Sequence, residues 1–178
     1  VDRAAGGVDV ALLGYRAMAI TDVNSLAGVV RAFDAARKIK GFKLIVGARL
    51  VFNDGADDLL VWPIDRAAYA RLCKLLTLGR RRAKKGECHL SVDDFLDHQA
   101  GMFAAMVPRS ARGFQFDVAD RLQDALGDRF SIAVSLHHGE DDQGRLELFQ
   151  HISRTTGVAL LATNHVHYHD SNRRMLQD

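Results

Sequence analysis

Cysteine is scarce. Cys73 and Cys88 are the only two, and they form no Cys-x-x-Cys pair. That argues against a disulfide framework and a thiolate zinc site, and it fits a reducing, cytoplasmic setting. Long apolar runs are missing as well. None approaches the roughly 20 residues needed to cross a bilayer, so no membrane partner is expected. No signal-peptide pattern opens the chain. It starts on Val1 and not on Met, as a processed, trimmed or fragmentary product would. There is no glycine-rich phosphate loop and no nucleophile elbow. Internal repeats and Pro/Ser-rich linkers are absent too. Nor does charge of one sign dominate. Lys and Arg number 24 against 22 Asp and Glu. Global electrostatics therefore does not force a nucleic-acid partner, and only local clusters can argue for one.

What is present is a globular composition and a regular alternation of element types. The 178 residues are 48% hydrophobic and 26% charged, enough for one domain with a real core. Residues 2–13 read as a helix weakened by Gly6-Gly7. A short strand over 16–20 stops at Thr21-Asp22. Asn24 or Ser25 then caps a helix running to about Lys38, ended by Gly41. Residues 43–52 are strand-like, Asn53-Asp54-Gly55 is a turn signal, and 59–62 is the hairpin partner. Tyr69, Leu72, Leu75 and Leu76 carry helical spacing over 66–82. Ser91-Val92-Asp93-Asp94 reads as a capping box opening a helix to about His98. A strand over 102–107 is closed by Pro108. A helix over 117–126 ends at Gly127, a strand follows over 130–136, a helix over 144–156 ends at Gly157, and a last strand covers 158–162. Tyr15 and Phe33 are assigned to core or near-core packing by default.

Strands separated by helices argue for an α/β fold with a largely parallel sheet. In such folds chemistry gathers at the carboxyl ends of the strands. Those ends carry Asp22, the Gly47-Ala48-Arg49 segment, Pro108, His137-His138 and the histidines after 162. The last are the most conspicuous. The apolar run Ala159-Leu160-Leu161-Ala162 breaks into Thr163-Asn164-His165-Val166-His167-Tyr168-His169. Alternate residues of a strand share a face, so His165, His167 and His169 would point together. Imidazoles gathered there are the usual raw material of a metal site. As an isolated motif they are equally well polar loop residues.

Several stretches resemble a known family. Ala19-Ile20-Thr21-Asp22-Val23-Asn24-Ser25-Leu26-Ala27-Gly28 resembles the second motif of the PHP (polymerase and histidinol phosphatase) domain. Leu44-Ile45-Val46-Gly47-Ala48-Arg49-Leu50, Arg71 to Gly79, Lys85-Gly86-Glu87-Cys88-His89-Leu90 and Ala162 to Asp170 are similar to the PHP domain of the error-prone homologue of the bacterial DNA polymerase III alpha subunit, a C-family polymerase. The resemblance covers nearly the whole chain and is loosest over 101–140. It implies a distorted (β/α) TIM-like barrel at the amino terminus of a much larger polymerase. In metal-competent relatives, strand-end His, Asp, Glu and Cys side chains hold up to three ions for phosphoester hydrolysis, and in some polymerases for 3′-end proofreading. The family's opening His-x-His strand should precede Val1. Residues 1–178 therefore read as a single PHP-type domain fragment and an incomplete barrel.

Carried over residue by residue, the resemblance makes Asp22, His138, His165 and His167 the metal-ligand candidates. Arg49 and Asn164 line the site cavity. The His that usually follows the Asp is Val23, the Glu of the Gly-x-Glu motif falls on Arg49, and His165 replaces an Asp. The Cys ligand falls near Val107-Pro108. A guanidinium is always charged and has no lone pair for a metal, so Arg49 would repel a cation or pair with Asp22. A hydrolytic multi-metal site needs ions about 3.5–4 Å apart. The four remaining candidates would hold one Zn2+ or Mn2+ at most, and no cofactor is certain. The expected function is a scaffold with a degenerate metal site, in a polymerase of DNA replication and translesion repair. The alternative is a metal-dependent phosphoesterase or 3′-5′ exonuclease of the same superfamily. The residues of nucleotide addition lie outside the PHP region of the family, so no catalytic residue is assigned.

One basic run stands out: Arg80, Arg81 and Arg82, then Lys84 and Lys85. It would contact a phosphate backbone, or it is a helix end favoured by the helix dipole and solvated. Cys88-His89 reads as packing and loop. The expected partners are the rest of a polymerase chain, lesion-bypass proteins and DNA. A missing first strand would leave an unpaired sheet edge, so the chain is expected to dimerise there or to cover the edge itself.

Overall fold

Leu59 and Val61 are fully buried, while Asp58, Leu60 and Trp62, which alternate with them, are only partly so. That period of two requires a strand with two different faces. In a computed structural model that describes residues 14–136 and 142–163, this strand is the third of six. The strands are β1 (Ala17–Val23), β2 (Lys43–Leu50), β3 (Asp58–Pro63), β4 (Met102–Val107), β5 (Phe130–Val134) and β6 (Ala159–Ala162). The helices are α1 (Val29–Ala36), α2 (Arg66–Arg82), α3 (Val92–His98), α4 (Phe116–Leu126) and α5 (Asp142–Thr156). The expected helix over 2–13 lies outside the described residues.

The sheet runs in chain order, β1 to β6. β1 is parallel to β2, and β4, β5 and β6 are mutually parallel. β3 is antiparallel to both its neighbours. The largely parallel sheet is thus a mixed one. The Asn53-Asp54-Gly55 turn sends β3 straight back along β2, where a parallel partner would have needed a long crossover. Gly55 takes the positive φ, 86°, that this turn demands. Among the described residues β1 and β6 are edges and do not pair with each other. The α/β fold therefore stands as an open sheet, consistent with an incomplete TIM-like barrel.

The core lies on one face. Ala48, Leu50, Leu59, Val61, Met102, Ala104, Met106, Phe130 and Ile132 meet Leu72 and Leu75 of α2, Phe95 of α3, Leu122 of α4 and Phe149 of α5. Each fully buried Leu or Phe contributes about 1.5–3 kcal/mol relative to exposure. By alternation the other face carries Ile45, Gly47, Arg49, Asp58, Leu60, Trp62 and Phe103, with Arg49 opposite Leu60 and Trp62 opposite Phe103. Gly47 is required there. A Cβ on it would stand 2.6 Å from Trp62 Cδ1 and 2.6 Å from the Val61 carbonyl oxygen.

Three local expectations are corrected. β1 does not stop at Thr21-Asp22, because the ladder to Gly47, Ala48 and Arg49 carries it through Val23. Neither Asn24 nor Ser25 caps α1. Its N-cap is Gly28 with no side-chain bond of its own, and Asp22 Oδ2 accepts the Gly28 N–H at 2.8 Å. Tyr15 and Phe33 are not core residues but are 53% and 58% exposed. On α1 the inward positions go to Ala32, Ala35 and Ala36, leaving Phe33 on the outer side. The Ser91–Asp94 capping box forms as expected, with both reciprocal bonds.

Candidate functional site

One end of the sheet gathers the carboxyl ends of β1, β2, β4, β5 and β6 and the amino end of the reversed β3. Register decides which side chains meet there. Asp22 is paired with Ala48 and Val23 with Arg49. Neighbours in a parallel ladder share a face, so Asp22 lies on the helix-packed side and Arg49 on the other. Asp22 is engaged by the Gly28 N–H at the start of α1.

Arg49 takes a different partner from the one expected. Its Nε and Nη2 both reach Asp58 Oδ2, at 2.8 and 2.7 Å. The two side chains are 27% and 15% exposed, so solvent screens the pair only partly. Where the family resemblance places a metal-ligating carboxylate, an ion pair supplies its own counter-charge. Among the described residues no three His, Cys, Asp or Glu side chains are arranged to hold a metal ion. Among the described residues the carboxylate beside Arg49 is that of Asp58, and the guanidinium occupies it. His138, Asn164, His165 and His167 lie outside the described residues.

Three features of this end differ from the sequence reading or were missed by it. Asn24 adopts φ 44° and works as an extra strand residue. Its N–H donates to the Arg49 carbonyl, its Nδ2 to the Val51 carbonyl, and its Oδ1 accepts the Val51 N–H. Asp57 is only 3% exposed. Its Oδ1 accepts the Arg109 N–H at 3.3 Å, and its Oδ2 has no hydrogen-bond partner among the described residues. Burial pushes its carboxyl up, against the opposing pull of the Arg109 N–H and guanidinium and with a smaller push from Asp58. The signal for Asp57 was its two-residue spacing from Leu59 and Val61, which puts it on the buried face. Third, Ser135 Oγ and Thr163 Oγ1 lie 2.6 Å apart and tie the ends of β5 and β6.

The basic run divides. Arg82 is consumed by Asp94, with two bonds of 2.9 and 2.7 Å. Arg80 Nη2 donates to the Asn24 carbonyl at 3.1 Å. Arg81, Lys84 and Lys85 are exposed. Lys84 and Lys85 line a groove with Val23, Asn24, Arg80, Gly86, Glu87 and Cys88, of about 390 Å³. Cys88 is half-buried against the core, and burial raises its thiol. That disfavours the thiolate form a metal or an electrophile would need.

Comparison with known proteins agrees with this architecture. The family model of the PHP domain matches residues 9–152. The chain is 44% identical over 167 residues to an error-prone DNA polymerase of Caulobacter vibrioides, covering 93% of this chain and 15% of that protein. It is 44% identical over 177 residues to an error-prone DNA polymerase of Bradyrhizobium diazoefficiens, covering 94% and 15%. The chain thus spans about 15% of the length of the curated relatives it matches. A solved structure from Bifidobacterium adolescentis that carries the name metal-dependent phosphoesterase superposes with a TM-score of 0.61 at 14% identity, over 89% of this chain and 80% of that one. At that identity the likeness is one of fold.

Proposed function

Because this chain belongs to the PHP domain family, we propose that it is the PHP portion of an error-prone DNA polymerase and serves there as a scaffold with a degenerate metal site. The observation that carries this reading is the Arg49–Asp58 pair. A fixed cation stands where metal-competent relatives are expected to have a carboxylate, and it cannot donate electrons to a metal. Restoring hydrolysis would require displacing that cation as well as supplying ligands. The chain's own work is then to present surfaces to the rest of a polymerase and to lesion-bypass proteins in the cytoplasm. No helix of the described residues is long and apolar enough to cross a membrane. Among the described residues β1 and β6 each have one strand neighbour, which supports association with a further strand, from a second copy or another segment. The alternative, a phosphoesterase or 3′-5′ exonuclease, would need Asp22, His138, His165 and His167 to act together on at least one ion.

The test is plasma mass spectrometry of the purified chain, before and after dialysis against Zn2+ and Mn2+, beside a bis(p-nitrophenyl) phosphate assay. The scaffold reading expects far less than one metal per chain and no turnover above buffer. Stoichiometric metal with turnover that is lost in His167→Ala would overturn it. Light scattering on the eluted chain checks the edge-mediated dimer.

A further inference from the structure

Lys84 and Lys85 are not explained by the helix they follow. A helix C-terminus favours cations in its last turn, and that accounts for Arg80, Arg81 and Arg82. The C-cap is Ala83, in an extended conformation, and the two lysines lie beyond it. There Gly86, at φ 97°, turns the chain back. The return is close. His89 N–H donates to the Gly79 carbonyl at 3.0 Å, and Leu90 is held by reciprocal bonds to Asn53. A Cβ on Gly79 would stand 2.7 Å from Cys88 Sγ and 2.7 Å from Leu90 Cδ2, so the return needs a glycine in the helix. On the far wall, Arg80 is fixed over the end of β1 by its bond to the Asn24 carbonyl.

The product is a groove with three cations against one carboxylate. Arg80, Lys84 and Lys85 face Glu87, whose Oε2 lies 3.5 Å from His89 Nε2. Neither lysine side chain forms an ion pair with a described residue, and among these lining residues the groove carries a net positive charge. We propose that this groove binds the phosphodiester groups of a DNA backbone, through Arg80, Lys84 and Lys85, beside the carboxyl ends of the strands. The chemistry follows from the lining. Two mobile ammonium groups and one anchored guanidinium suit tetrahedral anions, and the groove offers Val23 as its large apolar side chain and no aromatic ring for base stacking. Recognition is therefore of charge and not of sequence. Arg82 is excluded by its bond to Asp94, and Arg81 does not line the groove. The choice of DNA over other polyphosphates rests on the polymerase reading above, whereas the anion site itself rests on the groove.

Fluorescence anisotropy with a labelled 30-nucleotide single strand and its duplex, at several salt concentrations, tests this. Lys84→Glu/Lys85→Glu is expected to weaken binding at least about fivefold and to flatten the log–log salt slope by about two. Glu87→Gln is expected to tighten binding. Lys40→Glu/Lys43→Glu, an equal charge change at the amino end of β2, is expected to stay within about twofold of wild type. Inorganic pyrophosphate should compete with DNA in the wild type only. Loss confined to the single strand or to the duplex assigns the source of the phosphates. Lys84→Gln/Lys85→Gln replaces the reversal if circular dichroism shows that the latter is unfolded. Equal losses in the groove and control variants, or no loss in either groove variant, would overturn the site. Pyrophosphate competition without DNA binding would keep the anion site and overturn its assignment to DNA. None of these outcomes depends on the metal and turnover assays.

Discussion

Arg49 places two of its nitrogens, Nε and Nη2, on a single oxygen of Asp58, at 2.8 and 2.7 Å. The pair crosses from β2 to β3 on the face of the sheet opposite the core. Arg49→Glu would set two carboxylates side by side on that face. We expect a loss of about 1–3 kcal/mol in urea unfolding at pH 7, since an unpaired, partly buried charge is left behind. Asp58→Arg should cost a similar amount. The charge-swapped double variant should recover at least half of either loss, and strict additivity in that cycle would mean the pair is not coupled.

Asp57 sits buried, and one of its oxygens has no hydrogen-bond partner among the described residues. Burial raises its carboxyl despite Arg109. A carboxylate with a raised folded-state pKa binds more protons folded than unfolded, so stability falls as pH rises through that window. Asp57→Asn removes the charge and nearly keeps the shape. It should melt about 2–4 °C higher than wild type at pH 7, with the gain shrinking towards pH 4. A lower melting temperature at pH 7 would mean that the Arg109 contact outweighs the burial cost.

Asp94 behaves in the opposite sense. Burial alone would raise it, but the Ser91 N–H, the Arg82 guanidinium and the Ser91 hydroxyl together hold its carboxyl below its usual range. A lowered folded-state pKa stabilises the protein fully above the unfolded value, and that stabilisation is lost as pH falls through the folded one. Asp94→Asn should cost about 2 kcal/mol at pH 7, from the broken capping box and the released Arg82. The difference from wild type should narrow in acid. A constant difference down to pH 2 would contradict the assignment.

Gly47 lies under the indole of Trp62. Gly47→Ala should destabilise by about 1–3 kcal/mol through forced displacement of that ring. Trp62 is the chain's single tryptophan, so its emission should shift in the folded variant. Unchanged emission and stability would mean that the ring moves aside freely.

Much of the architecture was written in local pattern. The hairpin partner over 59–62, the turn at Asn53-Asp54-Gly55, the Ser91–Asp94 box and the stop at Pro108 each follow from interactions within a few residues. Periodicity and caps report those directly. The family likeness was also legible, because its motifs are contiguous stretches. Long-range register was not. Whether Asp22 and Arg49 share a face depends on which residue of β2 lies beside Val23. Residues 22 and 49 are separated by a whole helix, and a one-residue slip reverses the answer. The same holds for Asn24, read as a cap and found extending a ladder to Val51, and for Asp58 as Arg49's partner. It holds too for the basic run, uniform as a string of letters. Folding bonds Arg82 to Asp94, anchors Arg80 on Asn24, and leaves Lys84 and Lys85 facing the groove. Charge type is a property of each residue alone, but which charges remain available is settled by the neighbours that packing brings to them.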